Sequence, residues 1–153
     1  MRIVIDSREK QPLDFSLYPD VEVAIGTLQA GDYSIMGFTA EIAIERKSVN
    51  DLIGFLTHDR DRFKHELERL RGYRSALVVV EAPFDAIRRG QYHSRMNPDA
   101  AVESIFSMMQ QYRIPFYFAD NRADGAFAAF SFLRHFLRHE TERAKRLGFA
   151  LNA

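Results

Sequence analysis

Ala76-Leu77-Val78-Val79-Val80 is an unbroken apolar run closed by Glu81. A strand with one wet face alternates apolar and polar side chains, so this run fits a central strand buried on both faces. Such a strand needs a layer of structure on each side. Ile3-Val4-Ile5, ending at Asp6, reads as another buried strand, Val21 to Gly26 as a second, and Pro115 to Ala119 as a short third. Asp32 to Met36 and Thr39 to Glu45 look like a hairpin turning at Gly37. Between these runs lie helical patterns. Ser48 can cap a short helix through Asp51, Leu52 and Phe55. Phe63, Leu67 and Leu70 stripe a second helix over about 59–73. Asn97 and Pro98 open a third, with Val102, Ile105, Phe106 and Met109 inward, and a long final helix runs from Asp124 to about Leu147. The alternation predicts an α/β layer fold with a central mixed sheet flanked by helices.

The chain has 153 residues, enough for one domain with a sizeable core. It has no cysteine, which excludes disulfides and thiolate metal sites. Charge interrupts the N-terminal apolar run too soon for a signal peptide, and no stretch suits a membrane span. The expectation is a single soluble, cytoplasmic domain over 1–153 with no membrane partner. Net charge is zero, but it is unevenly placed: residues 1–51 hold nine acidic and five basic residues. An acidic, cation-binding segment joined to a basic remainder suits an enzyme acting on a polyanion. Ordinary solvated charge would give the same count.

The acidic segment carries the chemistry. Gly31-Asp32-Tyr33 is followed by Ile44-Glu45-Arg46-Lys47 and then Asp51. If the second hairpin arm continues to Lys47, period two sets Glu45 and Lys47 on one face and turns Arg46 away. Phosphodiester hydrolysis needs a metal to polarise phosphoryl oxygens and lower the pKa of an attacking water. Magnesium and manganese prefer oxygen ligands, few of them from protein. Asp32, Glu45 and Asp6 offer such oxygens. Lys47 could orient or deprotonate the water, or stabilise developing phosphorane charge. Taken alone, the spacing also fits a surface hairpin with solvated charges.

Gly31-Asp32-Tyr33, Glu45-Arg46-Lys47 and Asp51 resemble the signature of the XPF/Hef-type structure-specific endonucleases. Asp6-Ser7-Arg8-Glu9 resembles that family's first acidic motif, and Asp59-Arg60-Asp61-Arg62-Phe63 and Val78-Val79-Val80-Glu81 its later segments. The resemblance runs from residue 3 to about 140. It implies a restriction-endonuclease-like fold and a Mg2+- or Mn2+-dependent enzyme cutting DNA near branches, flaps or junctions. Carried over position by position, it makes Asp32 and Glu45 primary metal ligands. Asp6 and Glu9 complete the acidic cluster directly or through water. Lys47 is the catalytic lysine, Arg8 and Arg46 support the site or contact phosphate, and Asp51 stands behind it. Family members commonly carry a tandem helix–hairpin–helix module and some a helicase. This chain is expected to be a compact stand-alone version of a bacterial or phage kind, with a helicase or junction-binding protein as a possible partner.

Several residues lie outside that signature. Arg88, Arg89 and Arg95 flank an acid-free aromatic loop that could track a DNA backbone or simply be solvated. Arg60 and Arg62 open the second helix, where DNA contact competes with a solvated face shared with Glu66 and Glu68. Glu81 reads as an exposed strand end or a support for the site. Phe127, Phe130, Leu133 and Leu137 form a stripe on the last helix, flanked by Phe132 and Phe136. This arc is wide for one contact, so it predicts either a homodimer through the C-terminal helices or burial in a groove of its own domain. Three functions compete: an active metal-dependent endonuclease, a catalytically inactive DNA-binding partner of the same fold, and a non-enzymatic interaction domain.

Overall fold

Val78, at the middle of the apolar run, is fully buried. In the computed structural model, which describes residues 1–149, its strand lies inside a six-stranded sheet. The strands are β1 (Arg2–Asp6), β2 (Glu22–Gly26), β3 (Tyr33–Ile35), β4 (Ile42–Ser48), β5 (Ser75–Glu81) and β6 (Phe116–Phe118). Their order is β2-β1-β3-β4-β5-β6. The β1–β3 and β3–β4 pairs are antiparallel; β1–β2, β4–β5 and β5–β6 are parallel. The fold class is therefore the expected one, a mixed sheet flanked by helices.

The helices are α1 (Val49–Leu56), α2 (Arg60–Arg71), α3 (Phe84–Arg88), α4 (Pro98–Tyr112) and α5 (Arg122–Arg146). Two apolar layers result. On one face α1 to α4 pack on Ala43, Val78 and Val80 through side chains such as Leu52, Phe63, Leu67 and Ile105. On the other, α5 packs on Ile42, Ile44, Leu77 and Val79 through Ala126, Ala129 and Leu133. Period two along β4 thus sends its two side-chain rows into different layers. No helix among the described residues is long and apolar enough to cross a membrane.

Four local expectations need correction. The second hairpin arm begins at Ile42 rather than Thr39, because residues 36–41 fold into turns in which Phe38 O accepts from both Glu41 and Ile42 N–H groups. Arg88 belongs to the short helix α3, not to the loop. The inward face of α4 is Ala101, Ile105, Met108 and Tyr112, leaving Phe106 52 % exposed. On α5 the small residues Gly125, Ala126, Ala128 and Ala129 and then Leu133 face the sheet, and Phe127 is 53 % exposed. The large aromatics drew the predicted stripe toward themselves; alanines allow the closer approach of helix to sheet.

Candidate active site

Lys47 and Glu45 occupy the face of β4 that meets α1 and α2. The strand runs on through Lys47 into Ser48, which caps α1 by accepting from the Asp51 N–H. Lys47 Nζ stands 2.7 Å from Glu45 Oε1 and 2.9 Å from Glu66 Oε2 on α2. The Phe55 ring lies under the ammonium, 4.2 Å from Nζ to centroid. Asp32 enters from the start of β3, and its Oδ2 accepts from the Arg46 backbone N–H at 2.7 Å. Gly31 makes that approach possible. Its φ is +76°, and a Cβ there would sit 2.9 Å from the Ile44 carbonyl oxygen. A side chain would push Asp32 away from β4.

Arg46 points to the other face, as the period requires. Its Nε and Nη2 donate to Glu9 at 2.7 and 2.9 Å, and Nη1 donates to Glu81 at 3.1 Å. Arg122 on α5 completes the chain, donating to Glu81 Oε1 and to the Gln11 and Pro12 carbonyls. These bonds tie β4, β5 and the segment after β1 beneath the site. Glu9 is therefore committed to Arg46, while still lining the cleft near Asp32. Glu81 is a largely covered bridge between Arg46 and Arg122, not an exposed strand end.

Asp6 also has its oxygens engaged. Arg8 donates to it from N, Nε and Nη2, and the Leu28 N–H donates at 2.7 Å. The Arg8 pairing holds the Asp6 carboxyl down at about 2. Burial works to raise Glu9, but the Arg46 guanidinium outweighs it and keeps Glu9 below the usual range. Asp32 and Glu45 behave oppositely. Burial, with Glu9 nearby, pushes Asp32 up to about 6; burial, with Asp32 facing it, pushes Glu45 up to about 7. Burial works to lower Lys47, yet Glu45 and Glu66 hold it above its usual value. The two raised carboxyls form one electrostatic unit that the Lys47 ammonium, shared with Glu66, only partly offsets.

These groups line an open cleft of about 400 Å³ that also contains Asp6, Arg8, Asp51, Arg62, Glu66 and Arg69. Asp51 keeps its carboxylate on the Ser48 hydroxyl, 2.7 Å away, at the cleft wall. Arg60, Arg88, Arg89 and Arg95 do not line the cleft, and Arg89 pairs with Asp85 instead. Glu66, Arg69, Glu81 and Arg122 had no strong sequence signal. Glu66 does sit beside the Phe63–Leu67–Leu70 stripe, where a charged residue at a core edge is a hint. Among the described residues no three carboxylate or imidazole groups form a ready-made metal cage. Two carboxylates facing an open cleft nevertheless fit Mg2+ or Mn2+, which keep several waters and take few protein ligands.

The ERCC4 domain matches residues 5–128, most of the chain and the whole of this cleft. The chain belongs to the ERCC4 domain family. It is 34% identical over 101 residues to the "DNA repair endonuclease XPF" of Cricetulus griseus and, to the same extent, of Mus musculus. That alignment takes in 62% of this chain and 11% of each relative, so the chain spans a small part of their length. Among solved structures, XPF from Aeropyrum pernix superposes with a TM-score of 0.71 over 88% of this chain and 60% of that one, at 24% identity. XPF from Aeropyrum pernix in complex with DNA gives 0.71 over 90% and 65%, at 23% identity. The motif resemblance and the domain match agree on the family, and the solved structures share the fold.

Proposed function

We propose that this chain is a Mg2+- or Mn2+-dependent DNA endonuclease that hydrolyses phosphodiester bonds at branched, flap or junction DNA. One observation carries the reading: half-buried Asp32 and buried Glu45, mutually repelling and raised, open onto a cleft with Lys47 on the same face as Glu45. Asp32 and Glu45 would hold the cation, which when bound polarises the phosphoryl group and lowers the pKa of an attacking water. Lys47, kept charged by its carboxylate partners, faces the charge that develops on the phosphoryl oxygens. Arg62 and Arg69 at the cleft wall, with Arg8, bind flanking phosphates; Arg62 and Arg8 are largely exposed there. Arg46 keeps Asp32 in place through its N–H and anchors β4 through Glu9 and Glu81. Asp6 orients Arg8 rather than the cation, and Asp51 stiffens the start of α1.

A functional domain over 1–153 that pairs with itself extends the reading. At the β6 edge, Tyr117 and Phe127 stand 37 % and 53 % exposed, and Tyr117 Oη donates to Asp124 one turn before Phe127. This apolar rim supports a homodimer built from β6 and α5. A helicase or junction-binding protein would add further DNA recognition.

The test is cleavage of labelled duplex, flap, fork and single-stranded DNA with Mg2+, Mn2+ or a chelator, beside Asp32→Ala and Lys47→Ala. Metal-dependent cutting of branched substrates, lost in both variants, is the expected result. Binding of branched DNA without cutting under either metal would refute the enzyme and leave an inactive partner subunit.

A further inference from the structure

Lys47 has two carboxylate partners where one would satisfy its charge, and they come from different elements. Glu45 lies two residues away on β4; Glu66 reaches in from α2. The first partner has a competing duty. Glu45 also faces Asp32, and in the function proposed above it is shared with a cation. Each contact Glu45 makes with that cation weakens its hold on the ammonium. The Lys47 side chain is only 8 % exposed, so an ammonium losing its sole counter-charge there would be strongly penalised.

Glu66 is built to stay. Its neighbours Phe63, Leu67 and Leu70 are buried in the layer beneath β4 and β5, which fixes this turn of α2 against the sheet. One oxygen takes the Lys47 ammonium; the other lies 3.6 Å from Arg62 Nε at the cleft mouth. Phe55 closes the remaining side of Nζ. We propose that Glu66 is the positioning residue of Lys47, the anionic partner that keeps the ammonium aimed into the cleft while Glu45 turns to the cation. This inference deepens the nuclease reading and rests on it for its catalytic consequence.

Two measurements on the full chain test it. In steady-state cleavage with Mn2+, Glu66→Ala should lower kcat by about 10–100-fold, the range for removing a group that orients a catalytic one. KM should stay within about twofold, since the loss is one of alignment rather than of substrate binding. Glu66→Gln, whose amide oxygen still accepts from Nζ, should recover part of the rate. The double variant Glu66→Ala/Lys47→Ala should be no slower than Lys47→Ala alone. Wild-type kcat in Glu66→Ala, a change confined to KM, or multiplying losses in the double variant would each overturn the proposal.

Acetylation of Lys47 by acetic anhydride, read by mass spectrometry without DNA or metal, supplies the independent readout. In a Glu45→Gln background, where Glu45 carries no charge to hold the ammonium, adding Glu66→Ala should make labelling several-fold faster; equal rates would overturn the proposal. A wild type that cuts no DNA refutes the nuclease reading instead, and the labelling then decides the hold of Glu66 on Lys47 by itself.

Discussion

Asp32→Asn should stabilise the metal-free protein, and by an amount the structure sets. Burial and neighbouring Glu9 raise the Asp32 carboxyl from 3.8 to about 6. At about 1.36 kcal/mol per pH unit of displacement, keeping it ionised at neutral pH costs about 3 kcal/mol. Part of that cost is shared with Glu45, whose own rise has Asp32 as a cause. Asparagine removes the charge and keeps an oxygen to accept from the Arg46 N–H. The expected gain is about 1–3 kcal/mol at pH 8, or several degrees in Tm at about 2–4 °C per kcal/mol for a chain of this size.

The pH dependence follows from the direction of the displacement. A carboxyl with a higher pKa folded than unfolded binds its proton more tightly in the folded state. Its penalty is therefore absent below the unfolded value, grows as pH rises from 3.8 to about 6, and stays constant above. Thermal melts with a chelator at pH 8 and near pH 4 should show a gain for Asp32→Asn at the first that fades at the second. Equal stability at pH 8, or a variant less stable than wild type there, would refute the claim that Asp32 and Glu45 repel each other with only Lys47 between them to offset the charge.

Three further outcomes follow from the packing. Arg46→Met leaves Glu9 and part of Glu81 buried without a partner, and should cost about 3–5 kcal/mol in urea unfolding; a cost below about 1 kcal/mol would mean the network is dispensable. Gly31→Ala forces a Cβ against the Ile44 carbonyl from a left-handed φ, and should lower the unfolding free energy in urea by more than about 1 kcal/mol while blunting cleavage. Phe127→Asp should halve the mass in light scattering at micromolar concentration with Tm little changed; a wild type already monomeric would remove the proposed dimer.

What the sequence revealed and concealed divides by range. The face shared by Glu45 and Lys47 followed from period two within one strand, and the Ser48 cap from its own three-residue reach. The central strand and the layers around it followed from apolar patterning. Glu9 lines the cleft with the acidic cluster, but its ion pair with Arg46, 37 residues away and across a sheet, was not legible. The same distance problem hid Glu66 and Arg122, whose roles exist only once α2 and α5 are docked, and left Glu81 between a support for the site and an exposed strand end. Asp6 also lines the cleft, and its pairing with Arg8, two residues on, appears only once the chain folds back. On α4 and α5 the helical period was legible and Ile105 and Leu133 lie inward as read, but the centre of each face was set by smaller residues, leaving Phe106 and Phe127 exposed. Phenylalanines outweigh alanines on any hydrophobicity count, whereas close helix–sheet packing selects the smaller side chains.

The central claim is that Asp32 and Glu45 together hold a divalent cation. Calorimetric titration of Mn2+ into the metal-free protein tests it without DNA. Wild type should bind, Asp32→Asn and Glu45→Gln should each lose binding, and Lys47→Met should bind at least as tightly, because a competing positive charge is gone. Binding unchanged in Asp32→Asn and Glu45→Gln would place the cation elsewhere and contradict the account.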